Sequence, residues 1–264
     1  MDKDTKISSS RLFHYTNTIE NLLGILRNGF KIKYSLEKLN LFDTTEKELT
    51  DEFAIPMICF CDLPLTLVEN HMLVYGKYSI GLKKEWGEKQ AICPIIYLPK
   101  ESETRYVFEQ LVRNYNKNHS DPERVTKSLK DPKLAYHILE IINLFDGIID
   151  LIMYIKPYIG LYERKRISFK DENYKFYDER EWRYKPSKLL VRKSFMTKAE
   201  YLSYNSEEER NMNLKSIGFE KEDIVDIIVP ENEIEIVRNE LKKIEGLKDL
   251  DPKIVNTIEN KTKK

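Results

Sequence analysis

Cysteine is scarce in this chain. Three residues in 264, Cys59, Cys61 and Cys93, are too few and odd in number to build a disulfide scaffold. Glycine is also sparse, with nine residues, which leaves few places where a phosphate can approach bare backbone. Surplus charge is missing altogether. The 44 basic and 44 acidic side chains cancel to a formal net charge of zero, so the chain does not read as a general binder of nucleic acid or membrane surfaces, although a local basic patch is not excluded. The opening Met1-Asp2-Lys3-Asp4-Thr5-Lys6 lacks the apolar stretch of a secretion signal. No G-x-S-x-G, G-x-x-x-x-G-K-[ST], G-x-G-x-x-G or H-E-x-x-H occurs, which removes support for a hydrolase elbow, a P-loop, a Rossmann turn or a zincin. The expected setting is a reducing cytoplasm.

What is present suffices for a core: 41% of residues are hydrophobic and 11% aromatic. No internal repeat or low-complexity linker divides the chain. The reading is a single α+β domain over 1–264 with a helical insertion at roughly 100–157. The only stretch that could be mistaken for a membrane span, Ile138 to Ile155, carries Glu140, Asp146 and Asp150, and such charges are costly at a bilayer centre. Its apolar residues Ile138, Ile141, Ile142, Phe145, Ile148, Ile149 and Ile152 follow helical spacing. This predicts a core-facing helix that starts at Asp131-Pro132 and stops at Pro157, with any uncovered part of its wide stripe available to a partner or a second copy.

Around it the pattern predicts short strands and helices. Arg11–Tyr15 reads as a strand, and Thr16-Asn17-Thr18 caps a helix through Ile19, Leu22, Leu23 and Leu26 that Asn28-Gly29 closes. Phe30 to Tyr34 reads as a further strand, and Leu36 to Glu52 as a mobile loop. Pro56 introduces a buried strand, Met57–Cys61. Asp62-Leu63-Pro64 leads into a helix ending at Tyr75-Gly76. Ser79–Leu82, Ala91–Leu98, Gly160–Ile167, Glu179–Tyr184 and Ile224–Val229 have strand character, with a charged turn at Lys170–Asn173. Glu233 to Leu241 is a closing helix, and Asn256 to Lys264 a polar, frayed end.

Chemistry concentrates in few places. His14 has two readings: a half-buried ring satisfied by a backbone carbonyl, or a ligand-binding group. His71 and Tyr75 share a helical face at i, i+4 spacing. His119 reads as solvated and His137 as structural. Cys59 and Cys61 point to one side of a strand, but no second pair completes a zinc set, so buried free thiols and no metal are expected. The densest cluster is Tyr177-Asp178-Glu179-Arg180-Glu181-Trp182-Arg183-Tyr184. As a strand it would put Glu179, Glu181 and Arg183 on one face, where the two acids repel unless a cation compensates. The competing reading is a charged edge strand that resists aggregation.

Several blocks of the sequence are recognisable. Cys59-Phe60-Cys61-Asp62-Leu63-Pro64-Leu65, then His71 and Tyr75–Gly87 with its Gly81-Leu82-Lys83-Lys84-Glu85-Trp86 core, resemble the AbiGi family of bacterial abortive-infection (phage resistance) proteins. Leu12–Thr16, Cys93–Tyr97 and Glu179–Tyr184 agree in kind and order. The resemblance implies a cytoplasmic anti-phage protein, labelled in that family as the antitoxin of a two-gene system, with a cognate toxin or a phage protein as partner.

The order of an early histidine, a middle tyrosine or serine strand and a late E-x-E is similar to the layout of ADP-ribosyltransferases. That likeness implies a split β-sheet core and NAD as substrate. His14, with Tyr15 beside it, would hold the ribose, Tyr75 or Tyr78 with Ser79 would form the nicotinamide pocket, and Glu181 would grip the ribose hydroxyl. Glu179 would orient the acceptor, and Arg183 or Arg180 would hold the acids ionised. The Ser-Thr-Ser stretch of that superfamily is absent; Ser79 stands alone. The expectations are therefore a defence transferase, a catalytically idle antitoxin or sensor, and, last, a nucleic-acid protein.

Overall fold

The computed structural model describes residues 9–41, 52–64, 69–118, 131–164, 168–187, 190–191 and 193–250. His119, most of the expected 36–52 loop and the 256–264 end lie outside the described residues. The chain opens with β1 (Arg11–Thr16), α1 (Ile19–Asn28), β2 (Phe30–Lys31), β3 (Lys33–Lys38), β4 (Glu52–Cys61), α2 (Glu69–Tyr75) and β5 (Tyr78–Lys83). It continues with α3 (Lys84–Lys89), β6 (Cys93–Pro94), β7 (Ile96–Leu98), α4 (Glu103–Asn118), α5 (Pro132–Ile152) and β8 (Ile155–Pro157). Then come β9 (Gly160–Arg164), β10 (Phe169–Tyr174), β11 (Glu181–Tyr184), β12 (Met196–Thr197), α6 (Lys198–Ser203), α7 (Glu207–Arg210), β13 (Ser216–Ile217), β14 (Ile224–Ile228) and α8 (Ile234–Leu241). The class is α+β, with antiparallel pairing throughout the main sheet.

That sheet runs β14-β5-β1-β4-β11-β6, with β3 and β12 also paired to β4. The ten-residue β4 is the hinge of the arrangement. Its first half, Glu52 to Met57, pairs with β3, and its second half, Ile58 to Cys61, pairs with β11. β1 registers with β5 along its whole length but with β4 only at Phe13 opposite Cys61. Beyond that pair the two strands part, and a cleft opens between them.

Alternation along β1 decides which face each side chain serves. Leu12 joins a core layer with Leu22, Leu23 and Leu26 of α1, Ile80 and Leu82 of β5, and Val237 and Leu241 of α8. Phe13 and Tyr15 point the other way, toward Cys61, Leu63 and Ile228, with Met72 and Tyr75 of α2 packed against them. Removing a fully buried side chain such as Leu22 costs about 2–5 kcal/mol. α1 begins where the sequence implies: Thr18 accepts a hydrogen bond from the Asn21 amide at 3.3 Å, and Gly29 ends the helix at φ 75°. Gly76 turns α2 into β5 at φ 118°, where a Cβ would lie 2.2 Å from the Thr16 carbonyl oxygen.

Several expectations are corrected. Leu36–Lys38 belongs to β3 and Glu52 to β4, because a ladder from Lys33↔Met57 to Lys38↔Glu52 claims residues whose polarity suggested a loop. Pro56 lies inside β4 and does not introduce it. Ala91–Leu98 breaks into two strands with different partners: β6 pairs with β11, and β7 runs parallel to β8. Lys170–Asn173 is strand, paired to β9 with a bulge between Asp171 and Tyr174. The long helix does start with Asp131 as its cap, the carboxylate accepting from the Lys133 and Leu134 amides, but it stops at Ile152; Pro157 closes strand β8. It is also less core-facing than expected. Leu134, Ile141, Leu144 and Leu151 are exposed, while Ile152 is fully buried. His137 is on the helix surface near Glu140. Among the described residues, no helix is long and apolar enough to cross a membrane.

Candidate functional site

The cleft where β1 and β4 separate has a volume of about 750 Å³. Phe13 to Thr16 and Met57 to Phe60 both line it, as do α1, β3, α2 and the β9 hairpin. Of the residues singled out from sequence, His14, Tyr15, Tyr75, Glu179 and Glu181 all face this one space. Three are not part of its wall. Tyr78 packs in the main core and donates its hydroxyl to Glu233, at 2.8 Å from either oxygen. Ser79 is fully buried in β5, between Tyr15 and Ile228. Arg183 is fully buried behind Glu181.

His14 bridges the parting strands. Its Nδ1 lies 2.8 Å from the Cys59 carbonyl oxygen, which can only accept, so Nδ1 carries the proton. Burial disfavours the charged ring and outweighs that hydrogen bond, lowering the histidine below its ordinary range. The neutral ring therefore keeps Nε2 as an acceptor. Phe30 and Phe60 pack edge-on against it at 5.2 and 5.7 Å. The first sequence reading of His14 holds, a ring satisfied by a backbone carbonyl, and that ring also lines the cavity.

The two acids reach the cleft by a route that strand alternation did not foresee. Glu179 is not in β11; it ends a 3-10 turn, Phe176–Glu179, and Arg180 follows in the left-handed region at φ 45°. That reversal brings two carboxylates two residues apart onto one ammonium. Lys156 Nζ lies 2.9 Å from Glu179 and 2.6 Å from Glu181. Arg183 adds a second cation: its Nε donates to Glu181 at 2.8 Å, Nη1 to the Met153 carbonyl at 2.6 Å and Nη2 to Glu37 at 3.2 Å. Burial opposes ionisation of Glu181, but Arg183 and Lys156 together outweigh it and hold the carboxyl down to about 2. Lys156 suffers the same burial penalty, and Glu179 and Glu181 keep it protonated well above the usual lysine range. Burial first, then the neighbouring Glu181 charge, pushes the Cys59 thiol up, which disfavours the reactive thiolate.

Aromatic rings wall the same end. Tyr75 donates to Glu179 at 2.5 Å, stacks on His71 with centroids 4.4 Å apart and faces Tyr162 at 6.5 Å. Burial and the adjoining Glu179 charge raise the Tyr75 hydroxyl well above its ordinary value, so it acts as a donor. Sequence reasoning missed Lys156, Glu37 and Tyr162. The one available signal was Lys156 itself, a lone charge in Met153-Tyr154-Ile155-Lys156-Pro157, where an apolar segment just past a helix invites a buried ion pair. Among the described residues, no group of three or more His, Cys, Asp or Glu is arranged to hold a metal ion. Cys59 is half-buried, Cys61 buried and Cys93 exposed, and all three are free thiols.

The architecture and cleft define an α+β protein whose central sheet parts around an open cleft lined by acids and aromatic rings. A family model described as "Putative abortive phage resistance protein AbiGi, antitoxin" matches residues 28–230, and the chain belongs to the AbiGi family. The match begins after His14. A curated relative, "Abortive phage resistance protein AbiGi" of Lactococcus lactis subsp. cremoris, is 30% identical over 143 residues, which is 51% of this chain and 52% of that protein. The matched segment thus spans about half the length of each. No solved structure matches the chain.

Proposed function

We propose that the protein acts in phage resistance by abortive infection, and that its cleft binds an oxidised nicotinamide dinucleotide from which ADP-ribose is transferred to a macromolecule. The observation that carries this reading is convergence. An imidazole near the start, a tyrosine at 75 and acids at 179 and 181 line one space of about 750 Å³, a volume within the ordinary range for ligand sites. His14 Nε2 offers an acceptor to a ribose hydroxyl. Tyr75, stacked on His71, supplies an aromatic wall for a pyridinium. Glu181, held ionised, offers negative charge where a ribosyl cation would develop. In such a transfer the bond between ribose C1′ and the nicotinamide nitrogen breaks and nicotinamide leaves with the electron pair. The acceptor's nucleophile then bonds to C1′ and gives up a proton. The split of β1 from β4 supports an ADP-ribosyltransferase-like core, and Tyr75 rather than Tyr78 is the stacking candidate.

The test is nicotinamide release. Purified protein incubated with NAD and extract of infected cells is expected to release nicotinamide, and a folded Glu181→Gln variant to release at most about one-hundredth as much, the usual loss for a key electrostatic group. Release that survives Glu181→Gln would reject the transferase reading.

A second reading has its own support: an idle antitoxin on the same fold. The family description names an antitoxin. Lys156 and Arg183 also neutralise Glu181, which weakens it as a stabiliser of a cation. Co-expression with the neighbouring gene separates the two, since an antitoxin relieves that gene's toxicity whereas an effector is itself toxic.

A further inference from the structure

We propose that Lys156 is a tethered counter-ion that closes the acid end of the cleft, so that a cationic ligand group engages Glu179 and Glu181 only after this ammonium withdraws. The inference rests on the reading of the cleft as a dinucleotide site, but its subject is the chain's own lysine. Lys156 lines the cavity and touches both acids, which line it too. Its Nζ also stands 5.4 Å over the Phe176 ring, so two carboxylates and an aromatic face already serve one organic cation. Lys156 is the most exposed of the three, with 10% of its side chain open against 3% for Glu179 and 5% for Glu181, so a pyridinium entering this end faces its positive charge as well as the acids. Arg183 cannot play that part, because it is fully buried and outside the cavity wall.

The charge balance makes withdrawal feasible. Glu37, Glu179 and Glu181 face Lys156 and Arg183, so the cluster holds one carboxylate more than it has cations. Removing Lys156 leaves buried negative charge that an incoming cation can satisfy, and the cost of separating the pair falls when a ligand replaces it. β8 is buried, so the movement falls to the Lys156 side chain and not to the strand. β8 has three residues, lies outside the eight-stranded sheet and is held by a short parallel ladder to β7. Only Met153 and Tyr154 separate it from the end of α5, and Arg183 binds the Met153 carbonyl and Glu181 with one guanidinium. The joint between α5 and β8 is thereby coupled to the acid that Lys156 covers.

The experiment is calorimetric titration of NAD into the wild type, Lys156→Met and Lys156→Arg, with a thermal melt of each. Lys156→Met is expected to bind about ten-fold more tightly than the wild type, and Lys156→Arg to match it. If Lys156→Met does not fold, Lys156→Gln, which keeps a hydrogen-bond donor toward the carboxylates without the charge, takes its place. A folded neutral variant that binds NAD no more tightly overturns the lock; should the wild type still release nicotinamide, the transferase reading stands without it. If no variant binds NAD, the dinucleotide reading fails. The lock is then judged with 1-methylnicotinamide, a small pyridinium, and equal affinity in wild type and neutral variant overturns it.

Discussion

At the scale of single residues, the cleft is a set of side chains whose charge states are dictated by burial and by each other. His14 is the clearest case. An unfolded histidine takes up a proton near pH 6.5, whereas burial keeps the folded ring neutral to lower pH. Just below pH 6.5 the unfolded state therefore binds more protons, and stability falls as pH drops through that window. Thermal melts from pH 7.5 to 5.5 are expected to show this slope in the wild type and a shallower one in His14→Gln; identical slopes would contradict the burial argument. Glu181 behaves in the opposite chemical sense with the same outcome. Its folded value of about 2 lies below the ordinary carboxylate, so its contribution is present above about pH 4.3 and is lost as pH falls from there toward 2. Replacing it with Gln leaves two buried cations short of a partner and is expected to cost about 3 kcal/mol in denaturant unfolding. A cost under about 1 kcal/mol would show that Glu37 and Glu179 suffice to balance Lys156 and Arg183. The acids and the histidine stood out in the sequence, with Tyr75 and Tyr78 left as alternatives, and the structure brings His14, Tyr75, Glu179 and Glu181 to one cleft. The pairing of Lys156 was not legible, because β8 lies outside the main sheet and nothing in its spacing revealed that its ammonium would reach Glu179 and Glu181.

At the scale of elements, backbone geometry decides where those side chains go. Alternation along β11 put Glu181 and Arg183 on one buried face, as the pattern of the sequence implies. Glu179 converges with them only because Arg180 takes a left-handed conformation, which costs a non-glycine residue roughly 1–2 kcal/mol. Arg180→Gly should relieve that strain and leave stability within about 1 kcal/mol of wild type, while Arg180→Val should destabilise by roughly 2 kcal/mol. If Val were tolerated as well as Gly in a melting experiment, the turn would not be what aims Glu179. The same physics explains the misread elements. Polar sequence at Leu36–Lys38 and Lys170–Asn173 suggested loop or turn, but ladders hold Leu36–Lys38 to β4 and Lys170 and Asp171 to β9, and the bulge that follows is closed by the Asn173 amide donating to Asp171. Pro157 looked like a helix stop, yet the helix had already ended at Ile152 and the proline closes a strand held by β7.

At the scale of the whole molecule, the cleft exists because the sheet divides. β4 serves β3 and β12 with one half and β11 with the other, and β1 leaves it after a single register pair. The α+β class was readable from the mixture of short strands and helices, and the family from the Cys59–Leu65 and Gly81–Trp86 blocks. The strand order was not readable, because pairing between segments far apart leaves no periodic trace in the sequence. Exposed Leu134, Ile141, Leu144 and Leu151 on α5 show that this helix does not spend its full apolar stripe on the core. The proposed working site is the cleft between β1 and β4. The most direct measurement is the efficiency of phage plating on cells carrying this gene with its neighbour, comparing wild type with His14→Gln and Tyr75→Ala proteins present at equal soluble levels. Loss of resistance in both variants is the predicted result. Undiminished resistance in both would place the function elsewhere on the molecule.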